Sequence, residues 1–592
     1  MGIWHNFVWE LGTISFGNLA SFCLGTWQKT SFPKTFFFSL APFFANSTQM
    51  RNFDAQNITK NMKESLLLGA EAVALGAIDA GISGVYAYPG TPSTEITEFI
   101  QKSKDAREKN IRSKWCCNEK TAYEAALGMS YAGKRAIICM KHVGLNACAD
   151  PFMNSAITGV NGGLVLVVAD DPSQHSSQNE QDSRYYGKFA LLPLLEPSNQ
   201  QEAYDCVQFG LDFSEKFRLP VILRLTTRLS HSRSIISKRN FHEQNAFNPQ
   251  VERQRWVTLP AYAKKMYKAL VDLQPALTTE SENSPFLKVV EGTSKKAVIA
   301  CGLAYNYVME IRQSYNLDFS VLKISQYPLP NKQIAEFLEK YDDILIAEEG
   351  YPIVEEYLRG FSDNKKLRGK LDGALNRTGE LNPDFMAVAL GVKPQETAKT
   401  PELMVGRPPA LCKGCSHRDT YEALNNVMAD YTERHVFGDI GCYTLGALKP
   451  FEAITTTLDM GASITMAKGA ADAGLHPSVA IIGDSTFTHS GMPGLLDAVN
   501  DKSKMVVIIS DNSTTAMTGG QDSAGTSRLH LICEGLGVEK EHIRVMVPLK
   551  ANLEKNMQIL KEEIEYDGVS VILAQRECVQ TAIRNKKKQQ KA

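Results

Sequence analysis

Residues 483–521 read GDSTFTHSGMPGLLDAVNDKSKMVVIISDNSTTAMTGGQ. The apolar run before Gly483 predicts a strand ending at Gly483-Asp484. A helix follows, and KMVVIIS predicts a second strand ending at Asp511-Asn512. A strand–helix–strand unit of this kind puts two parallel strands side by side, so a carboxylate and an amide oxygen arrive at the same sheet edge. Asp484, Asn512 and the backbone carbonyl of Thr514 are hard oxygen donors suited to Mg²⁺, which completes its shell from a diphosphate and water. Gly483 is expected to let that ligand approach closely. Taken singly, Asp and Asn at strand ends are ordinary turn formers. The spacing of the set is what points to a diphosphate clamp.

The same α/β texture extends both ways from this unit. From Met62, SLLLGAEAVALGAIDAG has helical periodicity, GVYAYPGTPST reads as a strand entering a turn, and KRAIICMKHVG and GGLVLVVADD are further buried-strand runs. A polar stretch, TTESENS at 278–284, precedes the strands KAVIACG, FSVLKIS and DILIAEEG. VKPQETAKTPELMVGRPP reads as an interdomain linker, and the terminal RNKKKQQKA as a solvated basic tail. The expected fold is α/β, with two related parallel-sheet domains flanking a smaller α/β domain. The expected borders are 62–245, 246–395 and 396–592.

The 592 residues carry a formal net charge of -1, so no global basic field points to nucleic acid or an anionic membrane. Twelve scattered cysteines do not form the dense framework of a small secreted domain, which places the protein in a reducing, cytoplasmic compartment. Residues 1–61 are Phe-rich, with Glu10 and Asp54 their only acidic residues. The first basic residue, Lys29, follows the apolar stretch Leu11–Trp27, unlike a secretory signal. Thr13, Ser15, Asn18 and Ser21 interrupt that stretch as a membrane span. The segment is read as an atypical extension, with Met50 or Met62 the expected true start.

Gly483-Asp484-Ser485 through Asn512, followed by MTGGQ, resembles the thiamine diphosphate motif. An enzyme of that kind needs a glutamate against the cofactor's aminopyrimidine ring, where it shifts the tautomer that removes the thiazolium proton. Glu119, opening a small-residue-rich helix in CCNEKTAYEAALGMSYAG, is the candidate, and Glu124 its rival. Without the motif, Glu119 reads as a carboxylate at a helix N-terminus.

YAYPGTPSTEI, KHVGLNACADPFMN, DDPSQHSSQNEQDSR, EEGYPIVEEYLR, LCKGCSHR and GDIGCYTLGALKP extend the likeness. From about Met62 to near the C-terminus the chain resembles the α subunits of indolepyruvate:ferredoxin oxidoreductases, within the 2-oxoacid:ferredoxin oxidoreductases. The resemblance implies decarboxylation of an arylpyruvate on thiamine diphosphate, reduction of ferredoxin, release of an aryl-acetyl-CoA, and a β subunit as partner. It assigns Glu119 to the pyrimidine, Thr91 to the 2-oxo acid, Met460 and Gly461 to the diphosphate site, and Asp484, Asn512 and Thr514 to Mg²⁺. His142 and His489 become candidate pocket residues, each equally readable as structural.

Electrons that leave one at a time require a relay, and a [4Fe-4S] cluster requires four thiolates. Cys412 and Cys415 supply two, Cys442 matches a third, and Cys578, after DGVSVILAQREC, is nominated as the fourth, with Cys533 the alternative. Zinc is the rival for such a set, because an isolated C-x₂-C more often signals zinc or a redox pair. The C-terminal run of repeated cluster cysteines found in many related subunits is not matched here, so electrons are expected to leave directly to ferredoxin or through another subunit. A non-redox thiamine-dependent decarboxylase is the alternative function, and a non-catalytic binding subunit a third.

Overall fold

A computed structural model describes residues 64–239, 241–249, 252–360, 366–395, 404 and 410–590. The N-terminal extension, both proposed start sites and most of the expected linker lie outside the described residues. Three sheets organise the rest. The first runs, in spatial order, Gln326–Tyr327, Leu194–Leu195, Val221–Thr226, Leu164–Asp170, Ala136–Lys141, Gly84–Ala87 and Arg112–Trp115, and only the outermost Gln326–Tyr327 is antiparallel. The second runs Leu367–Arg368, Asp343–Ala347, Lys296–Cys301, Ser320–Ile324 and Lys288–Val290. The third is wholly parallel: Val436–Phe437, Val479–Gly483, Met505–Asp511, Val569–Gln575 and Ile543–Met546.

The central strands are near-continuous apolar runs because helices cover both of their faces. LVLVVAD at 164–170 and MVVIISD at 505–511 are buried at every position. Register sets Gly483 beside Ser510, so Asp484 and Asp511 emerge together at the carboxyl edge.

Several local expectations are corrected. SLLL does not begin a helix: Glu64–Leu68 is a strand paired antiparallel with Arg233–Ser237, and the helix starts at Gly69. TTESENS, the polar stretch before the second set of strands, lies at the end of the Pro260–Glu282 helix, where Ser281 is buried. The basic tail is exposed, in line with its reading as a solvated tail, and it is helical over Val579–Gln589, with Arg584 donating to the carbonyl of Gly519 at 2.6 Å. Among the described residues no helix is long and apolar enough to cross a membrane.

The first two sheets are joined by a buried ionic hub. Arg184 pairs with Asp182 at 2.6 Å and Glu348 at 2.8 Å, and donates to the carbonyls of Glu349 and Tyr351 at 2.9 and 2.7 Å. Arg224 pairs with Asp170 at 2.6 Å and with Glu196. Gly350, at φ +78°, is required here, because a Cβ would stand 2.7 Å from Asp182 Oδ2. Thus DDPSQHSSQNEQDSR and EEGY meet as structure. The hub holds Asp170, Asp182, Glu196, Glu348 and Glu349 against Arg184, Arg224 and Lys370, an excess of acid in a dry interior. Burial accordingly pushes the Glu349 carboxyl up to about 7, against the pull of Lys370. A carboxyl raised in the folded state stabilises fully below its ordinary 4.5, and that contribution is lost as pH rises through about 7. In Glu349→Gln this component disappears, so the melting temperature should fall less than the wild type's between about pH 5 and about pH 8, as read by calorimetry.

Candidate active site between the first and third sheets

The Glu119–Tyr131 helix begins where it does because Asn118 caps it, its side chain accepting from the Thr121 N–H at 2.8 Å. The first residue inside, Glu119, is 5% exposed and packs on Gly144, where a Cβ would meet Glu119 Cγ at 2.6 Å. Glu119 Oε2 lies 2.7 Å from His489 Nε2. His489 belongs to a π-helical turn, Phe487–Gly491, directly after the Asp484–Thr486 turn, and such turns gather at functional sites. Asn118 donates to the His489 carbonyl at 3.0 Å, and His489 Nδ1 meets Ser490 Oγ at 2.6 Å. The rival, Glu124, is exposed and paired with Lys120.

Two further bridges span the same crevice. The Tyr88 hydroxyl lies 2.9 Å from Ser485 Oγ and its ring edge meets the His489 ring at 4.7 Å; Gln521 Nε2 donates to Glu98 Oε1 at 2.8 Å. Carboxyl ends of strands from two parallel sheets therefore face one another, the place where α/β folds bind ligands.

On the third-sheet side, Asp484 is 2% exposed and its Oδ2 has no hydrogen-bond partner. Burial, reinforced by Asp511, pushes its carboxyl up to about 7. A buried carboxylate oxygen without a donor fits a cation ligand. Asn512 and Thr514 are buried close by, with the Thr514 N–H donating to Asn512 Oδ1 at 3.2 Å. Asp484 and Asn512 bring to this edge oxygen donors of the kind Mg²⁺ takes. A Cβ at Gly483 would meet the Tyr443 ring at 2.8 Å.

Gly461, beside the half-buried Met460, precedes the Ala462–Asp472 helix at φ +98°, where a Cβ would meet Ser490 Cβ at 2.6 Å. Its N–H and that of Ser463 donate to Asp439 Oδ2 at 3.1 and 3.3 Å. Burial pushes the Asp439 carboxyl up to about 6. Asp439 and Tyr88 were visible only as polar residues inside GDIGC and YAYPG, with no spacing to single them out.

The thiols lie next to this edge. The Cys412–Cys415 turn closes through a 3.1 Å hydrogen bond from the Cys415 N–H to the Cys412 carbonyl. Arg576 donates to the Gly414 carbonyl at 2.9 Å and to Asp419 at 2.6 Å, docking the exit of the last strand onto that turn. Cys578 follows, its N–H donating to the Asn512 carbonyl at 3.3 Å. Burial, with Cys415, Cys578 and Cys412 all near enough to add repulsion, pushes the Cys442 thiol up to about 12. Cys533 is buried inside the Leu529–Gly535 helix, away from this group. Among the described residues no three His, Cys, Asp or Glu side chains are close enough to hold a single metal ion.

Thr91 is half-buried in the turn after Gly84–Ala87, and His142 opens the next strand's following helix. Neither ring nitrogen of His142 has a hydrogen-bond partner, and burial lowers its pKa.

Residues 75–266 match the family described as pyruvate flavodoxin/ferredoxin oxidoreductase, thiamine diphosphate-binding, and residues 439–573 match the C-terminal domain of thiamine pyrophosphate enzymes. Fold and site define a thiamine pyrophosphate-dependent 2-oxoacid oxidoreductase. The chain belongs to the family of indolepyruvate oxidoreductase subunits IorA. It is 40% identical to the Archaeoglobus fulgidus subunit over 540 residues, 86% of each chain. It is 37% identical to the Methanothermobacter thermautotrophicus subunit over 544 residues, 87% of this chain and 86% of that one. A solved 2-oxoglutarate:ferredoxin oxidoreductase from Magnetococcus marinus is 16% identical, with a TM-score of 0.46 over 55% of this chain and 65% of that one.

Glu119→Gln should lower turnover by about 10²-fold or more in steady-state assays, the usual scale for losing an acid–base group. Glu124→Gln should retain wild-type turnover.

Proposed function

We propose that this chain, together with a β subunit, oxidatively decarboxylates arylpyruvates, indolepyruvate foremost, to aryl-acetyl-CoA and passes the electrons to ferredoxin. One observation carries the reading: the Cys578 N–H is bonded to the carbonyl of Asn512, so the thiol group adjoins the diphosphate edge. Bound thiamine diphosphate supplies the carbanion and electron sink that 2-oxo acid decarboxylation needs.

The chain's own residues divide the remaining work. Glu119 holds a proton at the cofactor's pyrimidine ring. Asp484, Asn512 and the Thr514 carbonyl ligate Mg²⁺, while Gly483, Ser485, Met460 and Gly461 shape the diphosphate site. Thr91 and His142 border the 2-oxo acid. Cys412, Cys415, Cys442 and Cys578 would hold a [4Fe-4S] cluster, whose chemistry would be one-electron transfer. CoA enters as co-substrate. The division into domains 62–245, 246–395 and 396–592 is part of this proposal; the three sheets follow it except that Gln326–Tyr327 joins the edge of the first. A cytoplasmic location, where thiols stay reduced, is part of it as well.

Anaerobic co-expression with the β subunit, followed by viologen reduction on a panel of 2-oxo acids, should show CoA-dependent activity with arylpyruvates. Activity with pyruvate alone would reject the substrate assignment, and aldehyde release without viologen reduction would reject the redox reaction. Iron measured on the anaerobically purified chain should fall in Cys578→Ser and stay at the wild-type level in Cys533→Ser.

A further inference from the structure

Lys141 is a buried cation at the same strand edge that has no anion of its own. It is the last residue of the Ala136–Lys141 strand and is 8% exposed. Its Nζ donates to the Ser176 carbonyl at 2.7 Å and to Ser176 Oγ at 3.3 Å, and it forms no ion pair among the described residues. An ammonium has three donors, so one remains. The one carboxylate bearing on it, Asp171, is already occupied: it accepts from the Ser176 N–H at 2.8 Å, Ser177 Oγ at 2.5 Å and Thr227 Oγ1 at 2.6 Å. Burial lowers the lysine's pKa to about 8, which leaves it mostly cationic near neutrality.

Its neighbours tie it to the Thr91 turn. Gly90 lies against it, for a Cβ there would stand 3.2 Å from Lys141 Cβ. Ser176 Oγ, which receives the ammonium, donates to the Thr91 carbonyl at 3.3 Å. The next residue, His142, is 1% exposed with neither nitrogen bonded, and Gly144 packs against Glu119. Ammonium, Thr91 turn and Glu119 carboxyl therefore border one crevice. An unpaired ammonium in a dry environment is costly, and such groups gather where an anionic ligand binds.

We propose that Lys141, oriented by Ser176, binds the carboxylate of the 2-oxo acid substrate. This rests on the 2-oxo acid reading above. It assigns recognition of the acid group to the first sheet, beside Thr91, leaving the third sheet to the cofactor's diphosphate.

The test uses the anaerobic complex of wild type, Lys141→Met and Lys141→Arg with the β subunit. Viologen reduction gives KM and kcat, and fluorescence titration gives thiamine diphosphate affinity. Lys141→Met should raise KM for the 2-oxo acid by about 100-fold, the scale of losing one partner of a buried charge pair. Thiamine diphosphate affinity should stay within about twofold, and Lys141→Arg should recover part of the loss. A wild-type KM in Lys141→Met overturns the proposal, as does a loss of thiamine diphosphate binding in that variant, which would mark a structural role. A wild-type complex inactive on every 2-oxo acid overturns the underlying reading before any variant is compared.

Discussion

Arg184 and Arg224 are fully buried, and the geometry of the crevice depends on the carboxylates that surround them. Removing one partner from such a hub would leave a charge uncompensated in the interior, at a cost of about 3–5 kcal/mol. Arg224 holds Asp170 at the end of a first-sheet strand. The next residue, Asp171, gathers Ser176, Ser177 and Thr227, and Ser176 in turn meets Lys141 and the Thr91 carbonyl. The ionic hub between two sheets thereby fixes a loop that lines the crevice between the first and the third.

That crevice is polar and tightly bridged. Glu119 with His489, Tyr88 with Ser485, and Glu98 with Gln521 join chain segments several hundred residues apart. The Tyr88–Ser485 bridge sits directly after two parallel strands, Gly84–Ala87 and Val479–Gly483, where backbone direction brings functional groups together. The Asp484 Oδ2 oxygen is buried without a hydrogen-bond partner, and Cys578 is tied to the same edge through its N–H bond to the Asn512 carbonyl.

Strands were legible because parallel strands covered on both faces must be apolar throughout, and that pattern is local. SLLL misled because its apolar run is short, and its partner, Arg233–Ser237, lies far along the chain. In the site, Asp484 and Asn512 could be read from strand ends, while Glu119 needed the family resemblance to rise above an ordinary helix start. Asp439, Tyr88 and Lys141 were missed because a single polar residue acquires its role only from what packs across from it.

The sequence by itself determined the three runs of alternating strands and helices, the oxygen donors at the end of two neighbouring strands, and a supply of cysteines. These follow from local patterning and spacing, which the chain carries residue by residue. Only the tertiary structure decided that Glu119 faces His489, that Gly483 makes room for Tyr443, that Cys578 rather than Cys533 stands among the other thiols, and that Lys141 is left without an anion. Each of these depends on a partner distant in sequence, and on burial that turns an ordinary polar group into one requiring a specific neighbour.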